Sequence, residues 1–415
     1  MKQFISGLLV FLLIFSCPLS ASAQKEHFLY ESSVANEENS KNETPDPSSG
    51  PSVSAPSYIL IDADTGTVLA QKDENKELPL ASVTKVMTLL LIFEAIDSGK
   101  FKLTDTVTVS EHAAGMGGSQ VFLEPDETQT VETMIKCITV ASANDACVSM
   151  AEFAAGSEEA FVEQMNQKAA ALGMTHTHFV NSCGLDADGH YSTAYDIALM
   201  SRELTGRFPQ IFHYTKIWME DITHKTARGE SSFTLSNTNR LIKQYEYATG
   251  LKTGSTGKAK FCLAATATKD DVNLIAVIMA ADDSKKRVAD AKSLFNWGFA
   301  NCKIHVDENT DILPEIPVNN GSKAGVQPCY EKSFRYLDTT GSSESLSKKL
   351  DIPKSLDAPV TEGDVVGKAL YFLGETSVGE VSLLAGETVE KLTLKDAFFR
   401  LFHILLLGNQ TALAS

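Results

Sequence analysis

Three short groups of residues carry side chains suited to nucleophilic chemistry. In the first, Ser82-Val83-Thr84-Lys85, serine and lysine stand three apart at the head of an apolar run. On a helix that spacing puts both side chains on one face, a turn from each other. A serine hydroxyl is a poor nucleophile until a base takes its proton. A lysine of ordinary pKa, about 10.4, is protonated and cannot be that base. Burial beneath Val86, Met87 and Leu89, with a second cation nearby, would disfavour the ammonium and free the amine. The start of the helix also offers N–H groups and partial positive charge to a developing oxyanion. Alone, the pair is equally what a serine cap followed by a helical lysine looks like.

The second group, Ser142-Ala143-Asn144, lies between two apolar helical stretches. It supplies a hydroxyl that can relay a proton and a carboxamide that can orient a lysine or a substrate amide. By itself it also reads as turn or cap chemistry. The third, Lys252-Thr253-Gly254-Ser255, falls on a predicted strand. Lys252 and Gly254 then point one way and Thr253 the other. Lys252 offers a cation, Thr253 or Ser255 a hydroxyl for a carboxylate, and Gly254 removes bulk where a ligand backbone lies close. His176-x-His178 with Cys183 nearby lacks a complete ligand set, so no metal or other cofactor is expected.

The elements that must position these groups follow from apolar patterning. Tyr58–Ile61 and Thr67–Ala70 flank a turn at Asp62–Gly66 and predict a β-hairpin. Helices are expected over Val83–Ile96, Val131–Ala155, Glu158–Leu172, Ala194–Thr205 and Ser284–Phe299. Strands are expected over Gly250–Ser255, Phe261–Thr268 and Val272–Ala280. Strands at both ends with helices between them imply a mixed sheet carrying an inserted helical lobe, an α+β architecture. From about Val306 the texture changes to short alternating runs split by Gly and Asp turns, a small all-β sandwich ending near Val389. In the tail, Leu394, Ala397, Phe398, Leu401, Phe402, Ile404 and Leu405 share one arc of a helical wheel. That run is shorter than a membrane span needs and suits a helix lying in the interface; docking on its own β-module is the rival reading.

Composition narrows the partners. The chain has 415 residues and a formal net charge of -17, which argues against nucleic acid because phosphate backbones need surplus Lys and Arg. Lys2, an apolar run from Phe4 to Phe15 and Ala21-Ser22-Ala23 form an export signal with Gln24 as the new N-terminus. Cys17 as a lipid-modified residue is the rival there. Glu31–Pro56 is Ser, Asn, Glu and Pro with little apolar surface, a flexible tether. The six cysteines beyond the signal, Cys137, Cys147, Cys183, Cys262, Cys302 and Cys329, form no recognisable disulfide framework, and small buried hydrophobes are expected for most.

Taken together and in this order, Ser-x-x-Lys, Ser-x-Asn and Lys-Thr-Gly resemble the motif set of penicillin-binding proteins and serine β-lactamases. The flanks Leu80-Ala81-Ser82-Val83-Thr84-Lys85-Val86-Met87-Thr88, Met174–Asn181, Gly184-Leu185, Tyr191–Ala194 and Thr249–Gly254 resemble the low-molecular-mass serine D-alanyl-D-alanine carboxypeptidases. The resemblance runs from about Tyr58 to the tail. It implies a transpeptidase-like domain at 57–302, a β-sandwich at 303–390 and an amphipathic membrane-anchoring helix at 391–408, after a signal peptide at 1–23 and a linker at 24–56. It further implies an extracytoplasmic protein on the outer face of the cytoplasmic membrane. The implied substrate is a peptidoglycan peptide ending in D-Ala-D-Ala, and the implied inhibitors are β-lactams.

By the same resemblance Ser82 is the acylated nucleophile, Lys85 its base, and Ser142 a proton relay. Asn144 holds the substrate amide. Lys252 and Thr253, assisted by Arg287, bind the terminal carboxylate, with Gly254 and Ser255 lining the site. The N–H groups of Ser82 and Ser255 form the oxyanion hole. Cys183 stands where relatives often carry a polar residue such as His. A β-lactamase, a D,D-endopeptidase and a wall-binding protein without turnover are the alternatives. The first lacks its deacylating Glu-x-x-Leu-Asn segment here, and the last sits poorly with an intact residue set.

Overall fold

The computed structural model describes residues 50–340, 344–395, 397–399 and 402. The export signal, the tether up to residue 49 and half of the expected tail helix lie outside these. Packing begins inside the expected tether. Ser54 and Ala55 donate backbone N–H groups to the Asp290 carboxylate at 2.8 and 3.0 Å, and Ala55 is buried. The polar composition of this stretch does not keep it loose, because a carboxylate in the folded body supplies its partners.

β1 (Ser57–Asp62) and β2 (Val68–Lys72) form the expected hairpin. A 3-10 turn at Ala81–Thr84 leads into α1 (Lys85–Asp97). The short strands β3 (Thr106–Thr108) and β4 (Thr128–Thr130) pair on either side of the one-turn helix α2 (Glu111–Ala114). The helical lobe continues through α3 (Val131–Lys136), α4 (Asn144–Ala155), α5 (Glu158–Ala171), α6 (Ala194–Arg207) and α7 (Ile211–Thr215). Ser157 and Thr193 cap α5 and α6, their side-chain oxygens accepting from Ala160 and Asp196 N–H. A hairpin of β5 (Met219–Thr226) and β6 (Gly229–Ser236), unmarked by any strong apolar pattern, and the short α8 (Leu241–Gln244) follow. β7 (Ala248–Thr256), β8 (Lys260–Lys269), β9 (Val272–Ala281) and α9 (Ser284–Asn301) complete this part of the chain.

The sheet runs β2-β1-β9-β8-β7 and so joins the two ends of the domain. Its four strand pairs are all antiparallel. Tight turns link β7, β8 and β9, whereas parallel neighbours would need a long crossover. Both faces are covered, so successive residues serve different cores. Ile59, Ile61, Ile275 and Val277 face the helical lobe; Tyr58, Leu60, Leu274, Ala276 and Ile278 join the core under α9.

The single helix expected over Val131–Ala155 is broken. A π-helical turn at Cys137–Ala141 ends at Ser142, whose φ of 61° is left-handed, and α4 starts two residues later. Ala143 N–H donates to Cys137 C=O at 3.1 Å, and Asn144 N–H donates to Ser119 C=O at 2.7 Å. Hydrogen bonds from the neighbouring loop thus replace helical ones, which apolar periodicity cannot reveal.

From Lys303 to Lys391 the described chain is strand and turn, and the described tail residues Leu394, Lys395, Ala397, Phe398, Phe399 and Phe402 are helical. Val365–Leu373 and Thr376–Ala385 form the expected antiparallel pair, and Val360 bridges Val389 near the module's end. Val318, Val326, Phe334, Ala369, Tyr371, Val381 and Leu383 share its core, with Phe334 stacked on Tyr371.

Candidate active site

The 3-10 turn brings Ser82 to the foot of β7. A Cβ on Gly254 would lie 2.7 Å from Leu80 O and 3.0 Å from Ser82 N, so only glycine allows strand and turn this approach. Lys85, fully buried one turn on, has three neighbours. Its Nζ is 3.1 Å from Ser82 Oγ, 2.6 Å from Asn144 Oδ1 and 2.6 Å from Cys183 O. Two of these are carbonyl oxygens that can only accept. They take two amine hydrogens and leave the third position facing Ser82. There an ammonium has a proton to donate, and a neutral amine has a lone pair to receive the hydroxyl proton. Burial favours the amine and pushes the Lys85 pKa down, against the opposing pull of the Cys147 and Cys183 thiols and of Asp145.

Lys252 is the second buried amine. It donates to Ser142 Oγ at 2.9 Å and to Thr253 O at 2.9 Å. Burial, then the charges of Lys85 and Arg287, hold its pKa well below the usual lysine value. An incoming carboxylate would raise it again. Asn144 is fixed from its other end, Nδ2 donating to Gly117 O at 2.7 Å. Thr253 Oγ1 shares a hydrogen bond with Thr238 Oγ1 at 2.7 Å. Arg287 reaches in from α9 and donates to Gly254 O and Cys262 O, both at 3.2 Å.

A cavity of about 500 Å³ opens over these groups, lined by Ser82, Ser142, Thr253, Gly254, Ser255 and Arg287. Lys85, Lys252 and Asn144 are buried behind it. The nine residues expected to act on or bind the substrate therefore meet around one space. Sequence reasoning missed Ser119, Trp218, Thr238 and Arg240, which also line it. These lie on loops and the end of a polar hairpin and carry no motif. Sequence reasoning named Cys183 only for its side chain, whereas the contribution of Cys183 here is a main-chain carbonyl that any residue provides. The Cys183 side chain is buried, its Sγ 3.6 Å from Asn181 Oδ1. Cys137, Cys147, Cys262 and Cys302 are likewise buried and free, while Cys329 is free and exposed. His176 Nδ1 meets Glu77 and His178 Nδ1 meets Gly189 O. Among the described residues, no group of three or more His, Cys, Asp or Glu side chains could hold a metal ion.

A serine paired with a buried amine across one turn, facing a second buried lysine from a sheet edge, is the arrangement expected of an active-serine site of the penicillin-binding class. Residues 41–283 match the family described as D-alanyl-D-alanine carboxypeptidase, and residues 304–391 match the C-terminal domain of penicillin-binding protein 5. The chain is 40% identical over 339 residues to the D-alanyl-D-alanine carboxypeptidase DacF of Bacillus subtilis, covering 81% of this chain and 86% of that one. It is 33% identical over 359 residues to DacC of Escherichia coli, covering 82% and 86%. Penicillin-binding protein 5 from Haemophilus influenzae superposes with a TM-score of 0.68 at 28% identity, covering 83% of this chain and 99% of that one. Penicillin-binding protein 6B from Escherichia coli superposes with a TM-score of 0.65 at 29% identity, covering 82% and 98%. The chain belongs to the family of serine D-alanyl-D-alanine carboxypeptidases, the low-molecular-mass penicillin-binding proteins.

Proposed function

We infer that this protein is a serine D-alanyl-D-alanine carboxypeptidase that acts extracytoplasmically on peptidoglycan stem peptides and binds β-lactams. One observation carries the inference: two buried lysine amines, each within hydrogen-bonding distance of a motif serine, stand around one cavity.

In this reading Ser82 Oγ attacks the carbonyl of the penultimate D-alanine while Lys85 takes its proton. The N–H groups of Ser82 and Ser255 stabilise the tetrahedral oxygen. Lys252, Thr253 and Arg287 receive the terminal carboxylate, and Asn144 the substrate amide. The proton held by Lys85 passes through Ser142 to the departing D-alanine amine as the peptide bond breaks. Water then attacks the acyl-enzyme; its proton returns by the same groups, and Ser82 leaves protonated. A β-lactam acylates Ser82 by opening its ring. Its leaving group stays attached to the acyl portion, and release is slow.

Residues 57–302 are assigned to catalysis, 303–390 to a β-sandwich module and 391–408 to an interfacial membrane anchor, with 1–23 an export signal and 24–56 a tether. Exposed Leu394, Phe398, Phe399 and Phe402 support the anchor. No helix among the described residues is long and apolar enough to cross a membrane. The assay is release of free D-alanine from diacetyl-lysyl-D-Ala-D-Ala by purified protein lacking the tail, beside a nitrocefin test. D-alanine release with slow nitrocefin turnover is expected, and fast nitrocefin turnover without D-alanine would make the protein a β-lactamase instead.

A further inference from the structure

His190 is buried, and the chemistry above makes no use of it. Its hydrogen bonds determine where its proton sits. Nδ1 accepts from Val180 N–H at 3.0 Å and so carries no hydrogen. Nε2 is 2.8 Å from Thr84 Oγ1, and Thr84 donates its one hydroxyl proton to Ala81 C=O at 2.8 Å. Thr84 Oγ1 must therefore accept, and Nε2 is the protonated nitrogen. The neutral ring is in keeping with its surroundings: burial first, then His178, push the pKa down to about 4 against the pull of Asp186.

Thr84 stands between Ser82 and Lys85, and the carbonyl it holds belongs to a residue in an unusual conformation. Ala81 has a φ of 50°, a left-handed state that costs an L-residue energy and persists only where the surroundings impose it. Gly184 packs against the same carbonyl so closely that a Cβ there would lie 2.0 Å from Ala81 O. In a planar trans peptide the C=O of Ala81 and the N–H of Ser82 point in opposite directions. Fixing one aims the other.

We propose that His190 is a positioning residue for the oxyanion site: through Thr84 it locks the Ala81–Ser82 peptide and so aims the Ser82 N–H at the tetrahedral oxygen. This rests on the reading of Ser82 as nucleophile and of its N–H as an oxyanion donor. The chain of contacts, His190 to Thr84 to Ala81 O, runs behind the cavity and does not line it. Its loss should slow acylation without weakening the encounter complex.

Two amide variants separate the two hydrogen bonds. His190→Asn places an amide near Nδ1 and keeps an acceptor for Val180 but loses the donor to Thr84. His190→Gln places its amide near Nε2 and keeps that donor. Labelling with fluorescent penicillin over a concentration series resolves the acylation rate k2 from the encounter constant Ks. H190N should lower k2 about 10- to 100-fold with Ks changed less than about threefold, the size of a misplaced oxyanion donor. H190Q should recover k2 to within about fivefold of the parent by restoring a donor at Nε2. Thr84→Val should behave as H190N and Thr84→Ser as the parent. Parental k2 in H190N overturns the proposal, as does a loss in both His190 variants that merely tracks melting temperature and active fraction. Either result, with Ser82→Ala inert, leaves the functional reading standing. Labelling of Ser82→Ala would remove that reading and this proposal together.

Discussion

Lys252 Nζ lies 2.9 Å from Ser142 Oγ, although 110 residues separate the two in sequence. The contact joins the edge strand β7 to the break between α3 and α4, the two walls of the cleft. With Lys85 placed 3.1 Å from Ser82, each motif serine has its own buried amine. The two serines are distinguished by position: Ser82 lies at the start of a helix, Ser142 at a helix break, and the roles proposed for them, acylation and proton relay, follow that difference.

Ser82→Ala should abolish both D-alanine release and covalent labelling by fluorescent penicillin, because among the described residues no other hydroxyl hydrogen-bonds Lys85. Lys85→Ala should come close to the same loss. It removes the base and also leaves Asn144 Oδ1 and Cys183 O without the donor they share. Circular dichroism and melting would confirm that the Ser82 variant folds; retained labelling by it would overturn the site.

Much of this was legible in the sequence, for identifiable reasons. Strands covered on both faces, such as β8 and β9, leave long apolar runs, and α1 leaves another. The three motifs mark the site because its chemistry demands side chains of particular types. The break at Ser142 was legible only as polar residues between two apolar stretches; its π-helical form was not, since Ile138-Thr139-Val140-Ala141 is as apolar as a helix and Asn144 N–H bonds Ser119 O instead of a helical carbonyl. The β5–β6 hairpin was not legible either, because Met219–Thr226 and Gly229–Ser236 are mostly exposed and polar. Its far end nevertheless brings Ser236 and then Thr238 to the cavity. The carbonyl of Cys183 is a feature of main-chain geometry and leaves no trace in residue type.

The pH dependence follows from the two depressed lysines. With Lys85 as the proposed base, its neutral amine is the reactive form, so a lowered pKa brings it into play nearer neutrality. The acylation rate should rise with pH along a limb lying below the ordinary lysine value of about 10.4. Stability carries the same sign. The unfolded chain binds more protons at Lys85 and Lys252, so stability rises with pH between their folded and unfolded pKa values and falls as pH drops through that window toward the folded ones. A labelling rate that climbs only near the ordinary lysine value would contradict a neutral Lys85 base.

Lys252→Ala should leave Ser82 and Lys85 in place but remove the cation facing the substrate carboxylate. Loss should fall chiefly on kcat/KM for the dipeptide-terminated substrate, by about 10²-fold or more for a charge-assisted contact. An ester analogue lacking the terminal carboxylate should be penalised less, and equal penalties for both substrates would show that Lys252 does not bind the carboxylate.

Deleting residues 391–415 should release the protein from membranes while leaving its D-alanine release intact. An interfacial helix binds by burying apolar side chains such as Phe398 and Phe402, which are exposed in the isolated molecule. Fractionation of cells making the shortened protein reads this directly, and persistent membrane association would place the anchor elsewhere.

Two glycines test how tightly the nucleophile's turn is held. Gly173 and Gly184 both have left-handed φ, 75° and 89°. A Cβ added at Gly173 would meet nothing within 4 Å, whereas at Gly184 that atom would sit 2.0 Å from Ala81 O and 2.9 Å from Ser82 N. Gly173→Ala should therefore show conformational strain alone, about 1–2 kcal/mol, a drop in Tm of about 2–8 °C. It should label with penicillin as the parent does. Gly184→Ala meets main-chain atoms that cannot swing aside. It should melt lower still and lose labelling beyond what its folded fraction explains, since relief of the clash must turn the Ala81–Ser82 peptide. Equal melting of the two variants with full labelling of both would mean that the turn has slack, and that Ser82 is not held where acylation needs it by this contact.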